Sequence, residues 1–318
     1  NNTTYKIKVT TGAKSALENN LSREYESSFT TSHSPSSSVS GLFMAVGSGG
    51  KILRSTDNGS SWGIATSCQF STNLYGITFG NNTFVAVGTD GKIVRSTDNG
   101  TNWDNSTSPT GNGLYGVTFG NNTFVAVGQS GNIVRSTDNA SSWDNATSGI
   151  TDRLEGVTFG NNTFVAVGDD GKIIRSTDNG TNWENSSSGT TENLRRVIYG
   201  NDEFITVGNS GTIITSSDGI TWTSRTSGTS STLQEVTQGN STFVVVGNSG
   251  TILTSSDGTS WTSRTSGTSN RFYGVTYANT AFVAVGTSGT ILTSSDGTTW
   301  TSRTSGTSEH LRRVTYKE

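Results

Sequence analysis

Between Leu114 and Ser148 the chain reads LYGVTFG NNT FVAVG QSG NIVRS TDNAS SWDNATS. Short runs rich in Val, Ile, Phe and Thr are interrupted every few residues by Gly, Asn, Asp and Ser. Runs of this kind predict strands, and the interruptions predict the tight turns of an antiparallel meander. Four strands result: A over Leu114 to Phe119, B over Phe124 to Val127, C over Asn132 to Ser136 and D over Ser142 to Ala146.

The same pattern recurs along most of the chain. All seven tryptophans (Trp62, Trp103, Trp143, Trp183, Trp222, Trp261 and Trp300) fall 39 to 41 residues apart. Each closes a short motif between strands C and D. The first four motifs are STDNGSSW at 55–62, STDNGTNW at 96–103, STDNASSW at 136–143 and STDNGTNW at 176–183. The last three are one residue shorter: SSDGITW at 216–222, SSDGTSW at 255–261 and SSDGTTW at 294–300. One small four-stranded sheet cannot bury both of its faces. Several arranged radially can, and a period of about 40–45 residues is that of propeller blades. The ends of the repeat region agree. It begins at Leu42 with a strand B and finishes with LRRVTY at 311–316, a strand A with no B after it. The C-terminal strand is therefore expected to complete the first blade and close the ring. The predicted fold class is all-β: a seven-bladed β-propeller over 41–318, closed by the C-terminal strand and preceded by a partial Ig-like β segment.

Composition narrows the function. With 40 Gly in 318 residues the chain is a poor helix former. A formal charge of −3 gives no basic stripe for nucleic acid, and no stretch reaches the roughly 18 apolar residues of a membrane helix. One cysteine, Cys68, and two histidines exclude a Cys/His zinc cage. No metal and no cofactor are expected.

The S/T-x-D-x-G-x-x-W motifs resemble those of the Asp-box, or bacterial neuraminidase repeat, β-propellers, a group that includes sialidases, photosystem II assembly-factor-like propellers and some secreted glycosidases. The resemblance implies that Asp57, Asp98, Asp138, Asp178, Asp218, Asp257 and Asp296 bond turn amides at the blade periphery while the tryptophan packs beneath. The shortened boxes, and Ala140 where the others have glycine, depart from the pattern at the turn.

Residues 1–32 fall outside the repeat. Tyr5, Ile7 and Val9 alternate with polar neighbours, and a second β-rich run spans Tyr25 to Thr31. The segment resembles the last two strands of a bacterial Ig-like domain, and HSPSSSVS at 33–40 reads as a linker. Two strands alone are marginal. The expectation is a longer parent chain, with strand donation between subunits through residues 4–31 as an alternative.

Seven internal copies can be compared with one another. They differ most at the run entering strand A, where the residue after the invariant Leu or Phe is Tyr75, Tyr115, Glu155, Arg195, Gln234, Tyr273 and Arg312. In a meander blade the D–A and B–C loops share one face. The variable residues, with Arg153, Arg196, Arg271 and Arg313, are therefore expected around one mouth of the central channel, beside Asp152, Glu192, Glu235, Glu309 and His310. Aromatic faces next to arginine forks suit sugars or the carboxylates of a protein. The bland reading of the same residues is a set of drifting, solvated loops. Asp90, Asp169 and Asp170 in the B–C turns read as ordinary hairpin acids rather than cation ligands. Arg54, Arg95, Arg135 and Arg175, and Arg225, Arg264 and Arg303, recur too regularly for a site and read as scaffold, stacked on tryptophan or paired at the surface. Of fourteen N-x-S/T sequons, Asn81, Asn121, Asn161, Asn105, Asn145, Asn185 and Asn240 are candidate glycosylation positions, although duplication of one turn accounts for most of the count.

These observations favour a non-enzymatic, secreted or cell-surface binding and adhesion module, extracellular in location, that recognises a glycan or a surface protein through the D–A rim. A filament subunit assembled through the N-terminal segment is one alternative. A sialidase-like glycoside hydrolase, with Glu155 paired to Asp152 or Glu192, is another.

Overall fold

The computed structural model describes residues 3–9, 25–31, 41–65 and 71–317. The linker expected at 33–40 and Cys68 lie outside the described residues. The chain divides into two compact units, Asn1–Ser40 and Gly41–Glu318. In the first, strands Thr3–Val9 and Tyr25–Thr31 pair antiparallel, from Thr3 opposite Thr31 to Val9 opposite Tyr25. This pair is what the structure supplies of the expected Ig-like segment.

The second unit is a seven-bladed β-propeller of four-stranded antiparallel sheets. Blade 3 is representative: A is Leu114–Gly120, B Thr123–Gly128, C Ile133–Ser136 and D Asp144–Ala146. Blade 1 is assembled from both ends of the unit. Strand Leu311–Lys317 pairs with Leu42–Gly47, with Val314 opposite Ala45, so no sheet is left open at the seam.

Burial explains why strand B carries no polar face. Its residues alternate between the two flanking inter-blade layers. In blade 2, Phe84 and Ala86 pack with Met44 and Val46 of blade 1, while Val85 and Val87 pack with Phe124 and Ala126 of blade 3. Both faces are covered, so the apolar run is continuous rather than alternating. Strand D is exposed and only two or three residues long in each blade.

At the periphery each box aspartate organises its turn. In blade 3, Asp138 Oδ1 accepts from the amides of Ser141 and Ser142 and from Ser136 Oγ, while Ser136 Oγ accepts from the Ala140 amide. The shorter boxes keep the device with tighter spacing. Asp218 Oδ1 accepts from the amides of Ile220 and Thr221. The residue they lack is the left-handed asparagine, whose side chain in blades 3 and 4 reaches the preceding blade: Asn139 Nδ2 donates to Thr83 Oγ1 and Asn179 Nδ2 to Thr123 Oγ1. Ala140 holds the glycine conformation at φ 60°. The recurring arginines do not act as one set. Arg54 Nε donates to Asn99 O and Arg95 Nη1 to Asn139 O, joining neighbouring blades, whereas Arg225, Arg264 and Arg303 bond Thr215, Thr254 and Thr293 within their own blades. The candidate sequon asparagines are all exposed; Asn81, Asn121, Asn161 and Asn240 serve as positive-φ turn residues.

Candidate functional site: an arginine-lined channel mouth

Each strand A begins with a β-bulge. In blade 2 the pairing runs Leu74 with Gly88 and then Gly76 with Val87, which leaves Tyr75 unpaired. The slip repeats in every blade, so Tyr115, Glu155, Arg195, Gln234, Tyr273 and Arg312 occupy the same extra position. A bulge re-aims the side chain it carries, and here it turns these seven side chains toward the channel mouth. The glycine that ends strand B makes the slip sterically feasible. At Gly88 a Cβ would lie 2.0 Å from the carbonyl oxygen of Asn73.

Tyr75, Tyr115, Arg153, Glu155, Arg195, Arg196, Gln234, Arg271, Tyr273, Arg312 and Arg313 line one cavity of about 380 Å³ at this mouth. All eleven rim residues expected from the comparison of copies are thus brought together. One wall is aromatic, with the Tyr75 and Tyr115 ring centroids 5.3 Å apart. Arg153 lies over Tyr115 at 5.4 Å, and burial pushes the Tyr115 phenol above its ordinary range. The B–C turns supply outer partners: Asp169 to Arg153 at 3.2 Å, Asn209 to Arg195 at 3.1 Å and Asn248 to Gln234 at 3.1 Å.

Two carboxylates sit among the arginines. Glu155 Oε1 bridges Arg153 Nη2 at 2.7 Å and Arg195 Nη1 at 2.8 Å. Glu235, only 7% exposed, bonds Arg313 Nη1 and lies 4.0 Å from Arg196 Nε. The latter group fills the channel for a structural reason. The inner edge of every strand A presents unpaired carbonyls, and Arg196 donates to those of Tyr115, Glu155 and Arg195 while Arg313 donates to that of Tyr273. Burial pushes the Arg196 guanidinium down to about 10, with Glu155 opposing and Arg195 reinforcing the shift, so it remains cationic at neutral pH. Burial also lowers the Arg153 guanidinium, but Glu155 and Asp169 raise it more, and the net direction is up.

Glu235 belongs to this centre more fully than its mention as one rim acid suggested. The signal was present one position beyond the variable residue, where four copies have glycine (Gly76, Gly116, Gly156, Gly274) and three have Arg196, Glu235 and Arg313. The carboxylates weighed as a glycosidase pair have separate commitments. Glu155 is held by two arginines, Asp152 pairs with Lys172 at 3.4 Å, and Glu192 accepts from Ser210 Oγ. His310 Nδ1 accepts from the Ser288 amide and its ring lies 6.4 Å from that of Tyr273. Among the described residues no group of three or more His, Cys, Asp or Glu converges to hold a metal.

A closed ring of seven Asp-box blades with arginines gathered at one mouth defines the second unit as an Asp-box β-propeller. A family model described as photosynthesis system II assembly factor YCF48 matches residues 80–316. The chain belongs to that family. Among curated proteins none matches it. Solved structures with a similar fold are numerous, 857 chains, so structural likeness alone locates the architecture. One, described as YCF48 bound to D1 peptide, is 18% identical with a TM-score of 0.66, over 80% of this chain and 88% of its own. A second, YCF48 from Cyanidioschyzon merolae, is 16% identical with a TM-score of 0.63, over 80% and 96%. Family membership corrects the expected extracellular or cell-surface location: the family is described by photosystem assembly, not by export or adhesion. The abundance of Ser, Thr and Asn is a property of duplicated turns and says nothing of location. The family is likewise described by assembly and not by a reaction.

Proposed function

We propose that this chain is a non-catalytic, peptide-binding propeller that receives an acidic segment of a partner protein in the channel mouth, with Tyr75, Tyr115, Arg153, Arg195, Arg271, Tyr273 and Arg312 as its contact residues. The observation that carries the reading is local charge. Six arginines line a cavity in a chain whose formal charge is −3, and the rings beside them offer flat apolar surface. Guanidinium forks match carboxylates in shape and charge. Membership of an assembly-factor family, and a fold shared with a protein solved with a D1 peptide, support a protein ligand. In this reading the propeller at 41–318 carries the recognition, and the box aspartates are scaffold.

The test is titration of a fluorescein-labelled D1 peptide by anisotropy, at low and moderate salt. Saturable binding is expected, weakening with salt because exposed charges are screened. The double variant Arg195→Glu/Arg271→Glu should abolish it while leaving the circular dichroism spectrum unchanged. Equal binding by a folded double variant overturns the reading.

A further inference from the structure

The six arginines of the mouth divide into three pairs. Arg153 and Arg195 share Glu155, and Arg196 and Arg313 share Glu235. The third pair, Arg271 and Arg312, has no carboxylate partner among the described residues. Both guanidiniums approach the same ring, Arg271 at 5.5 Å and Arg312 at 4.3 Å from the centroid of Tyr273. Arg312 Nε is buried without a hydrogen-bond partner. Arg271 is exposed and Arg312 half-buried, so a ligand carboxylate can reach the outer nitrogens of both guanidiniums.

Resting on the peptide-binding reading, we infer that the mouth accepts a single ligand carboxylate, seated on Arg271 and Arg312 beside Tyr273, and that Glu155 is the residue that sets this number. Glu155 stands at the bulge position that holds Tyr75, Tyr115 and Tyr273 in other blades. Its own carboxylate bridges Arg153 and Arg195 as a ligand's would, so that second seat is filled from within the chain. Glu235 does the same for the deepest pair, where Arg313 is 7% exposed. A ligand bringing a second carboxylate to the Glu155 side meets a like charge instead of a free fork, and specificity follows from that repulsion as much as from attraction. The Arg271–Arg312 seat suits the chain terminus or an Asp or Glu side chain of a peptide; both present the same group.

The experiment follows the arginine Nε–Hε signals of the full chain by NMR during titration with acetate, then measures peptide affinity. Acetate should shift the Arg312 and Arg271 signals and leave Arg196 in place; uniform shifts, or none at Arg312, overturn the seat. Because acetate needs no peptide, absence of D1-peptide binding together with a localised acetate response would sink the peptide reading and leave the seat standing. With peptides, the wild-type chain should bind the two-carboxylate version more weakly than the one-carboxylate version, and Glu155→Gln should reverse the preference, favouring the two-carboxylate version by about tenfold. An unaltered preference in Glu155→Gln overturns its role. Arg312→Gln should cost both peptides about tenfold or more. Amidating the C-terminus identifies the source: loss of binding assigns the seat to the terminal carboxylate, retention to a side chain, and retention after all carboxylates are removed overturns it.

Discussion

The two faces of the propeller are built from the same number of copies and have diverged in opposite ways. On the box face, seven turns keep one aspartate, one serine and one tryptophan and repeat the same hydrogen bonds, even where a residue is missing. On the channel-mouth face, seven bulges keep only their geometry and carry four different residue types. The difference teaches where selection for folding ends. A turn aspartate must satisfy particular amides, so its identity is constrained by the backbone. A bulge residue has no set of turn amides to satisfy; where it bonds its own blade, as Arg195 and Gln234 do, the partner is a turn side chain, so its identity is free for recognition. Breaking the two faces should therefore give separable losses, one in stability and one in binding.

The largest effect should come from neither face but from the layer between blades that supports both. Phe124 is fully buried between blades 2 and 3 and packs on Phe119 and Trp143 at 4.6 and 6.4 Å. Phe124→Ala should cost about 3–5 kcal/mol, the range for deleting a buried aromatic ring. Chemical denaturation checks it. A loss below 1 kcal/mol would mean that neighbouring blades close over the cavity.

Glu235 tests whether the mouth is uniformly free of structural duty. It is buried between two guanidiniums that cap strand-edge carbonyls, so in this one place the recognition face behaves as core. Glu235→Leu leaves two buried cations without their shared partner, and breaking a buried pair from one side costs about 3–5 kcal/mol. Tyr75→Ala in the same ring should change stability by about 0.5 kcal/mol or less, as for a surface side chain. If the two variants unfold alike, the mouth is not divided into a buried plug and a free rim.

A smaller loss is expected on the box face. Ser136 Oγ accepts from the buried Ala140 amide and donates to Asp138. Ser136→Ala leaves that amide unpaired at a cost of about 1–3 kcal/mol. The matching change Ser216→Ala, in a seven-residue box, removes the bond from the Gly219 amide and should cost about as much. Thermal melts of the two variants compare long and short boxes directly. A clear inequality would show that the cross-blade bonds of Asn139 alter how much each turn contributes.

The blade count, the closing strand and the cluster of rim residues were legible in the chain because repetition makes position meaningful. Once seven copies are aligned, Tyr75 and Arg312 are seen to be equivalent, and equivalence places them around one axis. What could not be read was the bulge. No residue type marks it except the glycine ending strand B, and that glycine looks like an ordinary turn residue until the close approach of Asn73 O is known. The depth of Glu235 was hidden for a related reason. Sequence separates Arg196, Glu235 and Arg313 by a blade or more, and only closure of the ring brings them together. Location is not legible in the chain: its many Ser, Thr and Asn residues have bonds to make in a box or a left-handed turn and carry no address.

The smallest effect is a pH dependence confined to the box face. Hydrogen bonds from the side chain and amide of Ser142 hold Asp138 down to about 2, and the amide and side chain of Asn182, against a smaller opposing burial effect, do the same for Asp178. Both start from an ordinary value of 3.8. A carboxylate whose folded value lies below its unfolded one binds protons more readily in the unfolded chain. Its contribution is therefore complete above pH 4 and is lost as pH falls from about 4 toward 2, the interval set by these two groups. Each box is solvent-exposed, so screening keeps any single contribution small; seven boxes titrating together make the loss measurable. Melting temperature should hold steady from neutral pH to about 4.5 and then fall steeply with acid. Asp138→Asn keeps the acceptor geometry but removes one titrating group, so it should lower the neutral melting temperature slightly and soften the acid slope. A variant with an unchanged slope would place the acid sensitivity outside this box, and the box face would lose the role assigned to it.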